Sequence, residues 1–199
     1  MSFDAVILAN GEFPKKGGAA WKLLASAKRV IACDGAAKAY RRRFGKPPFA
    51  VVGDMDSVGR ITEGAEVALI PDQETNDLEK AARWCRARGW RRLVAVGASG
   101  RREDHAIGNV FRALDLGVEL VSDFGRFVPF RGKASFRVAK GTSVSVFAPD
   151  AATRMTSKGL EWPLDGVKFA NLYCATLNRA SSARVEMTSD RPALVYIAS

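Results

Sequence analysis

Short, almost uninterrupted apolar runs punctuate the first part of the chain: 5–9, 30–33, 49–52, 67–70, 93–96 and 118–121. Their length suits strands, and strands apolar on both faces belong to parallel sheets that helices cover on each side. Helix-length stretches separate them. One carries Trp21, Leu23 and Leu24, another opens at Asp34-Gly35-Ala36-Ala37 and ends near Phe44-Gly45, and a third follows Pro71. For that third helix Asn76 is the expected N-cap, with Glu79 reaching back to close a capping box and Leu78, Ala81, Ala82 and Cys85 on the buried face. A fourth opens at Asp104, with an expected apolar face of Ile107, Val110, Phe111 and Leu114. This alternation predicts a parallel-sheet, three-layer α/β domain.

After about Asp123 the pattern changes. Alternating runs at 126–130, 135–138, 143–147, 183–187 and 193–197 are separated by turn signals at Gly132, Lys140-Gly141, Pro149-Asp150, Lys158-Gly159, Asp165-Gly166 and Asp190-Arg191-Pro192. Such spacing predicts an all-β module, a β-sandwich. The expected division is an α/β domain over 1–123 and a β domain over 124–199, within a chain of 199 residues that is long enough for both.

Cys33, Cys85 and Cys174 form no CxxC pair and are odd in number, so a reducing, cytoplasmic setting is expected and structural zinc is not. No run approaches membrane-span length. The formal charge of +10 points to an anionic partner, since a positive field gathers anions. Arg41-Arg42-Arg43 and the group Arg86, Arg88, Arg91 and Arg92 fall at expected helix ends, where cations complement the dipole. That placement reads as solvated faces rather than a nucleic-acid platform, which would interleave aromatics.

At Val51-Val52-Gly53-Asp54-Met55-Asp56-Ser57 an apolar run stops at a glycine and releases two carboxylates one residue apart. Two readings are open: a site for a hard cation such as Mg2+, or an Asp-rich turn held by its own side chains. Asp34, Asp77 and Asp104 occupy comparable chain positions. In open parallel sheets ligands bind beyond the carboxyl ends of the strands, and all four connections leave those ends. For Asp77 a helix-dipole role is the competing reading. Gly97-Ala98-Ser99-Gly100-Arg101-Arg102 joins a strand to a helix and offers backbone N–H groups and guanidiniums to a phosphate, without the spacing of a P-loop or a dinucleotide fingerprint. Carboxylates facing a polyphosphate repel it by about 4 kcal/mol per close pair at an effective dielectric near 20, so a bridging cation is required. Carboxylates, Mg2+ and arginines around a phosphate chain describe phosphoryl or diphosphoryl transfer.

These residues resemble the thiamine pyrophosphokinases, which transfer the terminal diphosphate of ATP to the thiamine hydroxyl and release AMP. The resemblance runs through Asp34-Gly35-Ala36-Ala37, Gly53-Asp54-Met55-Asp56-Ser57, Asp72 to Ala81, Gly97 to Asn109, Gly159-Leu160-Glu161-Trp162-Pro163-Leu164 and Thr176-Leu177-Asn178. It implies an ATP- and Mg2+-holding α/β domain, a thiamine-binding β-sandwich, and a homodimer whose sites combine both chains. By the same resemblance Asp54, Asp56 and Asp77 hold metal and position the diphosphate, and Asp34 and Asp104 complete an acidic wall. Gln73 and Asn76 lie beside the substrate, Arg102 meets phosphate, Trp162 stacks on thiamine, and Asn178 bonds the aminopyrimidine. For Trp162 a core position in the sandwich is the other reading. Arg101 stands where many family members carry glycine, which leaves both Arg101 and Arg102 open as the phosphate contact. His105, the only histidine, is read as a packing or supporting residue rather than a general base. The alternatives are a diphosphokinase for a pterin-type hydroxymethyl heterocycle and, in another class, a basic nucleic-acid-binding protein. The β module with Trp162 argues against the first and the acidic residues against the second.

Overall fold

The computed structural model describes residues 3–54, 63–72 and 74–199. The chain divides into two compact units, Met1–Asp123 and Phe124–Ser199.

Among the described residues of the first unit six parallel strands form one sheet: β1 (Ala5–Leu8), β2 (Val30–Cys33), β3 (Ala50–Gly53), β4 (Glu66–Leu69), β5 (Leu93–Val96) and β6 (Glu119–Val121). Among the described residues four helices join them: α1 (Ala19–Ser26), α2 (Ala36–Phe44), α3 (Asp77–Ala87) and α4 (Glu103–Leu116). The strand order is β6-β5-β1-β2-β3-β4, so the chain winds from β1 to one edge and then returns to the far side of β1 for β5. Every residue of β1, β2, β3 and β5 is buried, which is why these runs carry no polar alternation. Val6, Leu8, Val30, Ala32, Val51, Val94 and Val96 share one core with α1 and α2, and α3 packs on β1, β2 and β3. Beside that core, the ring of Phe44 stacks on Trp21 and on Tyr40, each at 4.7 Å, and each such pair adds about 0.5–1.5 kcal/mol beyond its burial.

The burial expected of β4 and α4 needs correction. Strand β4 is not buried on both faces: it is the sheet edge, with Val67 48% and Leu69 62% exposed. On α4 only Ala113 is buried, while Ile107 and Phe111 of the expected core face are exposed. The helix packs on β6 and α3, so the 3.6-residue period identifies its apolar stripe but not whether the chain itself covers it. The arginines at helix ends are engaged locally: Arg41 donates to the Glu63 carbonyl, Arg86 to that of Leu116, and Arg88 lies over Trp84.

Asp4 ties the entry of β1 to that of β5 by accepting the backbone N–H groups of Arg91 (2.9 Å) and Arg92 (2.8 Å). Those two bonds hold its carboxyl below the usual 3.8. The folded value is lowered, so the stabilisation is complete above 3.8 and is lost as pH falls through the folded value. Asp4→Ala is therefore expected to lower the melting temperature at pH 7 and to converge on the parent protein in acid. Thermal melts across that range check it, and an equal deficit at every pH would rule the interaction out.

The second unit is built on two long antiparallel strands, β7 (Gly125–Arg137) and β11 (Arg184–Ala198). Beside them lie β8 (Ser143–Phe147), β9 (Met155–Lys158) and β10 (Ala175–Arg179). Four expected runs thus merge into two strands, because Gly132 and Asp190-Arg191-Pro192 bend the strands where turns are expected; pairing of β11 with β7 shifts register between Ser189 and Ala193. The first half of β11 pairs with β9 and its second half with β8, so one bent strand serves both parts of the sandwich. Phe136, Val146, Leu164, Phe169, Met187 and Val195 lie in its core. Strands β9 and β10 carry too many polar residues to be read from the sequence.

Candidate active site

The chain reverses its direction of winding between β1 and β5, and ligands of open α/β sheets bind at such a point. The loops leaving these strands are laced together: Gly11 N–H donates to Gly97 O and Glu12 N–H to Ser99 O, both at 2.7 Å. A side chain on Gly11 would start 2.4 Å from the Gly97 carbonyl, so only glycine permits this approach. The Arg101 guanidinium donates to the Asn10 carbonyl at 3.3 Å, while Arg102 pairs with Asp104 at 2.6 Å. That ion pair keeps the Asp104 carboxyl below its usual range. Asp104 and Arg102 are both exposed, so the pair is readily opened by a competing anion.

Asp34 follows β2 and Asp54 follows β3, its neighbour in the sheet. Asp34 is buried with φ of 44°, a left-handed geometry that Asp tolerates better than most residues. A Cβ on Gly53 would meet the Asp34 carboxylate at 3.0 Å, so the glycine before Asp54 makes room for Asp34. The Cys33 thiol reaches the Asp77 carbonyl at 3.5 Å, bringing the end of β2 against the first turn of α3. Asp77 is half-buried, and burial pushes its carboxyl up, with the negative charge of Asp54 acting in the same direction and Lys80 and His105 opposing. Lys80, whose side chain is only 4% exposed, lies 3.7 Å from Asp77.

Asn76 caps α3 as expected, accepting the Glu79 N–H at 2.9 Å. It also donates to Asn109 at 3.2 Å, and Asn109 donates to the Ala98 carbonyl at 2.9 Å, so α3, α4 and the glycine loop are joined by amides. The reciprocal half of the capping box is replaced. Glu79 is buried against Arg83 and Arg112 instead, because a buried carboxylate gains more from two guanidiniums than from one backbone N–H. Asn10 and Asn109 carry no individual signal in the sequence, since each acts through a partner distant in the chain. His105 is exposed. Asp56 and Gln73 lie outside the described residues.

Asp54 and Asp77 are hard oxygen donors close enough for the charge of one to disfavour that of the other, which is the donor chemistry a divalent cation relieves. Among the described residues no three acidic, histidine or cysteine side chains cluster as a complete metal cage. Magnesium suits such a sparse set, because it retains waters and phosphate oxygens. Thiolate ligation does not suit it, for burial pushes the Cys85 thiol up to about 12 and raises that of Cys33 strongly.

In the β unit Trp162 is 59% exposed, which excludes the core reading. Asn178 is 5% exposed, and its amide is bonded to the backbone of Trp162. Both line a cavity of about 170 Å³. That is below the ~300 Å³ of sites that enclose a whole drug-sized ligand, so the cavity is too small to enclose one.

Residues 20–119 match the family model described as thiamin pyrophosphokinase, catalytic domain, and residues 125–196 match that for its substrate-binding domain. The chain belongs to the thiamin pyrophosphokinase family. A relative, thiamin pyrophosphokinase 1 of Caenorhabditis elegans, is 32% identical over 114 residues. That stretch covers 52% of this chain and 47% of the relative, so the match spans about half of the relative's length. Among solved structures, thiamine pyrophosphokinase from Bacillus subtilis superposes with a TM-score of 0.76 at 17% identity over 98% of both chains. The Candida albicans thiamin pyrophosphokinase does so with a TM-score of 0.75 at 12% identity, over 98% of this chain and 89% of that one. At such identities the structures establish the shared fold, an α/β unit followed by a β-sandwich.

Proposed function

We propose that this chain transfers the terminal diphosphate of ATP to the hydroxyl of thiamine, producing thiamine diphosphate and AMP. The observation that carries the reading is the match, in order, to a catalytic and a substrate-binding family model, the first covering the strand ends where Asp34, Asp54 and Asp77 converge. Asp54, Asp56 and Asp77 would hold Mg2+, which when bound neutralises phosphate oxygens. The chain's own contribution is positioning. Backbone N–H groups of the 97–100 loop, with Arg101 or an Arg102 released from Asp104, hold the phosphate chain; Gln73 and Asn76 would stand beside the substrate; Asp34 adds to the acidic wall. Trp162 offers its indole face to the thiazolium cation, a contact of about 0.5–2 kcal/mol depending on desolvation.

A homodimer and a cytoplasmic location belong to the same proposal. Support for a second copy comes from α4, whose Ile107 and Phe111 are 59% and 37% exposed in the single chain; covering what is exposed gains a fraction of the roughly 1.5–3 kcal/mol of a full burial. Among the described residues no helix is long and apolar enough to cross a membrane.

Incubation with ATP, thiamine and Mg2+ is expected to give AMP and thiamine diphosphate in equal amounts, with no thiamine monophosphate accumulating and no turnover once the cation is chelated. Stoichiometric ADP would identify an ordinary kinase and overturn the reading.

A further inference from the structure

Strand β10 contains an irregularity with a definite effect. Ala175 pairs with Val146 of β8, but the next partners are Asn178 with Val144 and Arg179 with Ser143, so β10 carries an extra residue. Within it Leu177 is 87% exposed and adopts φ of 61°. The left-handed region is unfavourable for a residue with a Cβ, and a bulky side chain persists there only where its surroundings enforce it. The bulge changes the phase of the strand. Unbroken alternation from buried Ala175 would turn Leu177 and Arg179 inward and Asn178 outward; instead Asn178 and Ala180 are buried, and Leu177 and Arg179 face water.

The inward amide meets the loop that carries Trp162. Asn178 Oδ1 accepts the N–H groups of Trp162 (3.2 Å) and Arg179 (2.8 Å), and Nδ2 donates to the Trp162 carbonyl at 2.7 Å. One side chain therefore holds both backbone groups of Trp162. On either side Leu160 and Leu164 are buried, the Glu161 N–H donates to the Arg179 carbonyl at 2.8 Å, and the Leu164 N–H donates to Ser157 Oγ at 2.9 Å. Core packing does not account for this bracing, because the indole it fixes is mostly in water.

We propose that Asn178 is a positioning residue: turned inward by the bulge at Leu177, its amide clamps the backbone of Trp162 and sets the indole as the stacking wall for the thiamine ring. The inference rests on the thiamine reading above and alters one part of it. Asn178 acts through Trp162 rather than by bonding the aminopyrimidine, since the residue is 5% exposed, its carbonyl oxygen serves two N–H donors and its NH2 group is given to the Trp162 carbonyl.

A double-mutant cycle tests this, with thiamine varied at saturating ATP and Mg2+ for the wild type, Asn178→Asp, Trp162→Ala and the double variant. Asn178→Asp keeps the size of the side chain and replaces the donor to the Trp162 carbonyl with an oxygen that repels it. Its expected effect is a rise of about ten-fold in the thiamine KM when Trp162 is present and less than about two-fold when it is absent, with the KM for ATP unchanged. The polarisation of Trp162 emission, isolated by difference from Trp162→Phe, should fall in the same variant. Asn178→Ser buries no charge and serves as the second variant, with the same pattern expected. Equal effects with and without the indole would show direct contact with substrate and overturn the inference, as would an unchanged KM in the Trp162 background. A wild-type protein that forms no thiamine diphosphate overturns the functional reading and this inference with it; an active wild type with an additive cycle overturns the inference alone.

Discussion

Asp54→Asn and Asp77→Asn are each expected to lower diphosphate transfer at least about 100-fold while leaving a cooperatively melting protein. The catalytic loss follows from the donor set, since an amide keeps an oxygen but not the charge that holds a cation against a polyphosphate. For Asp77 the structural consequences oppose one another. Its folded carboxyl is raised, so the stability linked to it is present below the usual 3.8 and is lost as pH rises through the folded value; at neutral pH the charge is a burden that Asn removes. Against this, Asn leaves the buried Lys80 ammonium facing a neutral oxygen and gives up the interaction with the α3 dipole, worth roughly 0.3–1 kcal/mol. The net change should lie within about 1 kcal/mol in either direction. Initial rates and thermal melts on the same preparations separate the two effects. If both variants melt like the parent and keep most of its activity, the convergence of Asp54 and Asp77 has nothing to do with transfer.

Trp162→Ala is expected to raise the thiamine KM by about 10- to 30-fold with little change in the KM for ATP. A cation over an indole face contributes up to about 2 kcal/mol when desolvated, and 1.4 kcal/mol is a factor of ten. Stability should hardly move, because the ring is 59% exposed and Leu160 and Leu164 anchor the loop without it. Steady-state kinetics with each substrate varied in turn provide the check. A thiamine KM equal to that of the parent would remove Trp162 from the substrate site.

Much of the α/β unit was legible in the sequence because its code is local. A buried strand is a short apolar run, a helix start is Asn76 with a carboxylate in the next turn, and the residue after a parallel strand stands at the ligand-binding edge wherever the chain then goes. Asp34, Asp54 and Asp77 could therefore be nominated from chain position alone, and the change to alternating runs near Asp123 marked the start of the β unit. Tertiary structure decided what depends on a partner far along the chain. Strand β4 is an edge because no further strand among the described residues pairs with it, and Ile107 and Phe111 are exposed because coverage is not a property of a helical stripe. Glu79 abandons its capping box because Arg112 arrives from α4. Asn178 faces inward only because the bulge at Leu177 breaks the two-residue period from which its side would otherwise be read. Period and punctuation are written in adjacent residues, whereas register, coverage and charge pairing are settled only when distant segments meet.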